Sequence, residues 1–204
     1  MQNKIAQFIS IIFHPIIIPV LIFIIIFSLP IYPFEFYSFE AKRIFFFIVL
    51  TNTFLLPLLI IFLFLKSKLI SSVGMPNNTE RIVPVLLMAL MTYVTFYISN
   101  AWDLPMIWKI SMLLYSVMLV IVVFINFYFK ISLHAIGWSS LVALSVFYSY
   151  YLQVNLFCII ISSILITGVV GYARAYLKSH KNIEILAGLS YGFLFTVGFL
   201  MVFI

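Results

Sequence analysis

Gly171-Tyr172-Ala173-Arg174-Ala175-Tyr176-Leu177-Lys178-Ser179-His180-Lys181-Asn182-Ile183-Glu184-Ile185-Leu186-Ala187-Gly188 is where this chain concentrates its polar chemistry. Apolar runs adjoin it, over roughly 155–174 and 183–203. Each run has the length of about 20 helical residues that a hydrocarbon core requires. The stretch therefore reads as the connection between two membrane spans. It holds one of three arginines, one of three histidines and one of five acidic residues. Glu184 follows His180 by four, and positions i and i+4 share a helix face. Its carboxylate can accept a hydrogen bond from one His180 ring nitrogen, fixing the tautomer and leaving the other nitrogen as nucleophile or base. Arg174, about two turns earlier, offers a planar fork of donors suited to phosphate.

The rest of the chain agrees with a membrane reading. Of 204 residues, 66% are hydrophobic and only 8% charged, whereas a water-facing surface carries about 25% charge or more. An all-α polytopic membrane protein follows, with about seven transmembrane helices (six to seven). The spans fall at roughly 8–29, 42–65, 82–99, 107–129, 134–152, 155–174 and 183–203, and the break at Gln153-Val154-Asn155 is the weakest. No long polar linker interrupts them, so residues 1–204 read as a single integral membrane domain. Lys4 precedes an apolar run too long for a signal-peptide core, which reads as a retained first span. The net charge of +6 includes no basic run, so no nucleic-acid partner is expected. Cys158, the one cysteine, is read as a small hydrophobe.

Further polar residues are candidates at their own positions. His14-Pro15 and Pro19 predict a kinked first span, and His14 reads more readily as a structural histidine near the interface than as a proton carrier. Thr51, Asn52 and Thr53 are read as interhelical hydrogen-bonding groups. Lys66 to Arg81 is the longest polar connection, with turn chemistry at Gly74-Met75-Pro76-Asn77-Asn78. Trp102, Asp103, Trp108 and Lys109 form an interface belt around a short loop. Ser132-Leu133-His134 opens the fifth span, where an ionisable residue is a functional candidate.

Ala173-Arg174-x5-His180-x3-Glu184 resembles the third motif of the type 2 phosphatidic acid phosphatase family, Ser-Arg-x5-His-x3-Asp. Ile131-Ser132-Leu133-His134 is similar to its second motif, Pro-Ser-Gly-His. Arg81 matches the arginine of the first, Lys-x6-Arg-Pro, with Gly74 at the lysine and Ile82 at the proline. The resemblance covers residues 74–188 and implies a helical bundle like that family's, commonly of six spans. It implies His180 as a nucleophile forming a phosphohistidine, held by Glu184. His134 would be the proton donor to the leaving group, and Arg81, Arg174 and Ser132 the phosphate-binding residues. The implied substrate is a phosphorylated lipid; no cofactor and no metal are implied, since the chain offers no carboxylate cluster.

Two spans separate Arg81 from His134 and two more separate His134 from Arg174, so all three motifs return to one membrane face. Apart from the two arginines of the motifs, six basic residues fall on that face and three on the other. The positive-inside rule then puts the motif side in the cytoplasm of a bacterial inner (cytoplasmic) membrane. Gly74, Leu133 and Ala173, where the family has Lys, Gly and Ser, leave a second reading open. This is a catalytically inactive subunit or lipid-binding scaffold, with protein partners in a larger membrane complex. A transporter using His14, Asn52, Asn126 and His134 would need polar groups spread through the membrane depth, but the ionisable groups gather at one surface.

Overall fold

The computed structural model describes residues 2–30, 32 and 34–204. Among them the chain forms helices and turns and no strand. The α-helices are α1 (Gln2–Ile12), α2 (Ile18–Phe27), α3 (Phe39–Leu50), α4 (Leu56–Lys66), α5 (Asn78–Ala101), α6 (Met106–Asn126), α7 (Leu133–Tyr151), α8 (Phe157–Tyr176) and α9 (Asn182–Phe203). Among the described residues, six helical segments are long and apolar enough to cross a membrane: Asn3–Phe27, Phe39–Lys66, Asn78–Ala101, Met106–Asn126, Phe157–Tyr176 and Asn182–Phe203. The chain is an all-α polytopic membrane protein, integral to its membrane.

The prolines act where expected. At Pro15 the first span changes to a 3-10 turn over Pro15–Ile17 before α2 begins, with Pro19 in its first turn. Proline has no N–H to donate and is tolerated at the start of a helix. The second span contains a π-helical turn at Thr51–Leu55, and Pro57 sits in the first turn of α4. Such turns arise where one extra residue enters a helix.

The helices gather into two compact units. One comprises residues 1–15 and 128–204, the other Ile16–Phe127. In the second unit α5 packs along α6. Trp108 is fully buried, its ring edge-on to Phe23 and Phe27 at 5.4 and 5.8 Å, and its indole N–H donates to Ser99 Oγ at 2.9 Å. Ser116 Oγ–H donates to the Ala89 carbonyl across the same pair, also at 2.9 Å. Hydroxyl groups inside a membrane bundle must find such partners, because lipid offers none.

The first unit is built around α7, which packs against both α8 and α9, while α1 lies along α8. The expected span at 134–152 is this helix. It is 19 residues long but falls outside the six apolar segments, because His134 and a series of serines lower its hydropathy. Every residue from Ala135 to Ser145 is buried. Its neighbours carry the outward-facing apolar side chains instead, including Leu165 on α8 and Leu194 and Met201 on α9, each at least 64% exposed. A helix covered by others needs small residues for close packing more than it needs lipid-compatible ones.

Both turns around α8 close in the same way. The Val154 N–H donates to Ser149 O and the Ser179 N–H to Arg174 O, each at 3.2 Å. Gln153 and Lys178 take the left-handed conformation, with φ of 53° and 50°. These are Schellman closures, in which glycine usually holds the left-handed position. The weak break at Gln153-Val154-Asn155 is therefore a true helix end.

Candidate active site

Ser10, Ser132, His134, Arg174, His180 and Glu184 all belong to the first unit and all are buried, the last four at 6–8% exposure. His14 is half-buried in the same unit. Four helix ends position them. Ser132 caps α7, its Oγ accepting the Ala135 N–H at 3.4 Å. His134 follows in the first turn. Arg174 lies in the last turn of α8. His180 sits in the connecting turn, and Glu184 in the first turn of α9.

The expected partnership of His180 and Glu184 is present, with Nδ1 to Oε2 at 2.8 Å. Its setting differs from the helix-face geometry expected of an i, i+4 pair. Lys181 is the N-cap of α9, so His180 precedes the helix. Glu184 accepts the Lys181 backbone N–H through the same Oε2 at 3.2 Å. The carboxylate thus caps the helix start while orienting the imidazole. A carboxylate there also faces the positive end of the helix dipole. Because it can only accept from Nδ1–H, the lone pair of the neutral ring lies on Nε2.

Glu184→Ala removes both functions. The expected result is a loss of about 1 kcal/mol of stability from the cap, together with a His180 ring shared between two tautomers. Nitrogen-15 shifts of His180 check this: protonated Nδ1 in the wild-type protein, averaged signals in the variant.

His134 is held differently. Its Nε2 lies 3.0 Å from the Ser10 carbonyl and 3.4 Å from Ser10 Oγ. A carbonyl oxygen only accepts, so Nε2 carries the proton and Nδ1 is the basic nitrogen. The His14 ring stands edge-on to it with centroids 5.1 Å apart. His134 is also within electrostatic reach of Arg174 and His180. One turn further along α7, the Trp138 indole N–H donates to Phe13 O at 2.8 Å, fastening the end of α1.

Arg174 donates from Nη1 to Ser10 Oγ at 2.8 Å, while its buried Nε has no acceptor within the protein. An unanswered guanidinium N–H in a buried setting is costly. It suits an anionic oxygen arriving from outside. Lys130 Nζ, at the approach to α7, donates to the Ser179 carbonyl and ties the 178–181 turn in place.

Arg81 belongs to the second unit. It is 3% exposed and its guanidinium donates to the carbonyls of Met75 and Gly74, at 2.9 and 3.3 Å. Glu80 beside it accepts from the Ser71 N–H, Ser71 Oγ–H and Asn77 Nδ2–H. Both side chains therefore order the connection before α5. Five of the six candidate residues gather in the first unit: Ser132, His134, Arg174, His180 and Glu184.

Two participants were not expected there. Ser10 had no motif to mark it, and His14 read as a structural histidine. The polarity of Ser10 within an apolar run was the available signal. Among the described residues, no three His, Cys, Asp or Glu side chains group as a metal ion requires.

Compared with protein-family models, curated proteins and solved structures, the chain matches none.

Proposed function

We propose that this protein is a membrane-embedded phosphatase of lipid phosphates or diphosphates, a divergent relative of the type 2 phosphatidic acid phosphatases that works through a phosphohistidine. The observation that carries the reading is the buried His180–Glu184 pair in the same unit as Arg174, whose Nε lacks an acceptor. Arg174 binds non-bridging phosphate oxygens. His180 attacks phosphorus through Nε2 as the bond to the leaving oxygen breaks. His134, which enters this step as imidazolium with its second proton taken up on Nδ1, gives that proton to the leaving oxygen. In the second step His134 takes a proton from water, which attacks phosphorus and releases His180. The basic group facing the developing charge stabilises both transition states.

The substrate reaches this site from the bilayer. The bacterial inner membrane, with the motif side in the cytoplasm, is part of the proposal and is supported by the distribution of lysines and arginines. A second reading, a phosphate-lipid-binding subunit without turnover that works with protein partners, is favoured by the engagement of Arg81 with Gly74 and Met75.

The experiment is phosphate release by detergent-solubilised protein from a panel of lipid mono- and diphosphates, with His180→Ala in parallel. Release that requires His180 supports the enzyme. No release from any lipid by folded protein moves the assignment to the non-catalytic subunit.

A further inference from the structure

The N-terminal helix α1 carries none of the residues that suggested a phosphatase, yet its Ser10 meets two of them. Ser10 Oγ accepts from Arg174 Nη1 at 2.8 Å, and Ser10 O accepts from His134 Nε2 at 3.0 Å. The hydroxyl is 3.4 Å from the same Nε2. Ser10 is 7% exposed, and Arg174 is 8% exposed with an acceptorless Nε. One residue from a distant part of the sequence thus touches the anion-binding side chain and the acid–base side chain together.

We propose that Ser10 is a positioning residue of this site: its hydroxyl holds the Arg174 guanidinium so that Nε faces a bound phosphate group. An arginine side chain has several rotatable bonds, and fixing it before binding removes that ordering cost from the binding step. With Nη1 tied to Ser10 Oγ, the plane of the fork is set and the remaining N–H groups present a fixed edge. The Ser10 carbonyl has a companion effect. It keeps the His134 proton on Nε2, so exchange with substrate takes place at Nδ1. The inference rests on the phosphatase reading only in taking the bound group to be phosphate.

Because the contact is made by a hydroxyl, threonine should preserve it and alanine should not. Cysteine keeps the size with a weaker acceptor. The probe is inorganic phosphate, read as the rise in Tm it gives to the full-length, detergent-solubilised protein. For Ser10→Ala the phosphate needed for half the wild-type rise is expected to increase about tenfold, the loss of one hydrogen bond to a charged group. Ser10→Thr should return to within about threefold of wild type, with Ser10→Cys between the two. On a lipid substrate that the wild-type protein hydrolyses, Ser10→Ala should raise KM about tenfold and change kcat by less than about threefold, the pattern of lost uniform binding.

Ser10→Ala that binds phosphate as wild type does overturns the inference. So does a folded Ser10→Thr as weak as Ser10→Ala. Absence of any phosphate-dependent rise in the wild-type protein also overturns it. If Ser10→Ala does not fold, Ser10→Cys decides: weaker binding supports the inference and unchanged binding overturns it. Wild-type protein that releases phosphate from no lipid, but binds phosphate in a Ser10-dependent way, ends the phosphatase reading and leaves Ser10 in its role.

Discussion

On the proposed phosphatase reading, His180→Ala is expected to lower phosphate release by at least about 10³-fold while leaving the fold intact, since a covalent nucleophile would have no substitute in the site. The two parts of this result come from different contacts of the same carboxylate. Glu184 Oε2 accepts from both His180 Nδ1 and the Lys181 backbone N–H. Removing the ring leaves the second bond, so α9 keeps its cap. Rapid acid-free quenching should trap phosphate on the wild-type protein and none on His180→Ala. On the same reading His134→Ala should behave differently, retaining some phosphohistidine because it would lose the proton donor rather than the nucleophile. Combined, the two substitutions should cost little more than His180→Ala alone, as residues acting in one step are not additive. Phosphate release from His180→Ala equal to wild type would refute the assigned role.

Gly192→Leu is expected to have the largest effect on stability, exceeding about 3 kcal/mol. The buried stripe of α9 runs through Glu184, Gly188, Gly192, Thr196 and Leu200, every fourth residue along one face. At Gly188 an added Cβ would lie 2.8 Å from Ser132 O and 2.9 Å from Ala135 Cβ. At Gly192 it would overlap Ser139 Oγ and Ile136 O. The backbone of α7 therefore lies directly against α9, the close approach that Gly-x3-Gly permits in membrane helices. A larger side chain must push the helices apart, because a helix backbone carbonyl has no alternative rotamer. That separation would also displace His134 and Ser132 from His180 and Glu184, since these residues sit at the two helix starts. Thermal unfolding in detergent checks the prediction, with Gly198→Ala and Gly168→Ala as controls. Neither control Cβ meets anything within 4 Å, and each substitution should be neutral or stabilising by up to about 1 kcal/mol through helix propensity. Equal Tm values for Gly192→Leu and Gly198→Ala would show that the helices do not meet as described.

The helical spans were legible because a bilayer imposes length and apolarity on every segment that crosses it. Six of the seven expected spans coincide with the long apolar helices. The His180–Glu184 partnership was legible too, from a spacing of four, although a helix cap and not a helix face brings the two together. The centrality of α7 was not legible. Hydropathy registers transfer into an apolar medium and does not separate lipid from protein interior. A sheathed helix therefore looks like a poor span instead of a core.

What the amino-acid order determined by itself is local: helix lengths, proline breaks, the turn carrying His180, and the carboxylate four residues on. What only the tertiary structure decided is which distant helices meet. Ser10 and His134 are 124 positions apart, and no periodicity within α1 or α7 announces their contact. The close fit of Gly188 and Gly192 against Ser132 and Ile136 likewise depends on two backbones approaching at one angle. Those contacts arise from packing and hydrogen bonding between helices, where small residues and a few hydroxyl groups replace the hydrophobic drive that water would supply.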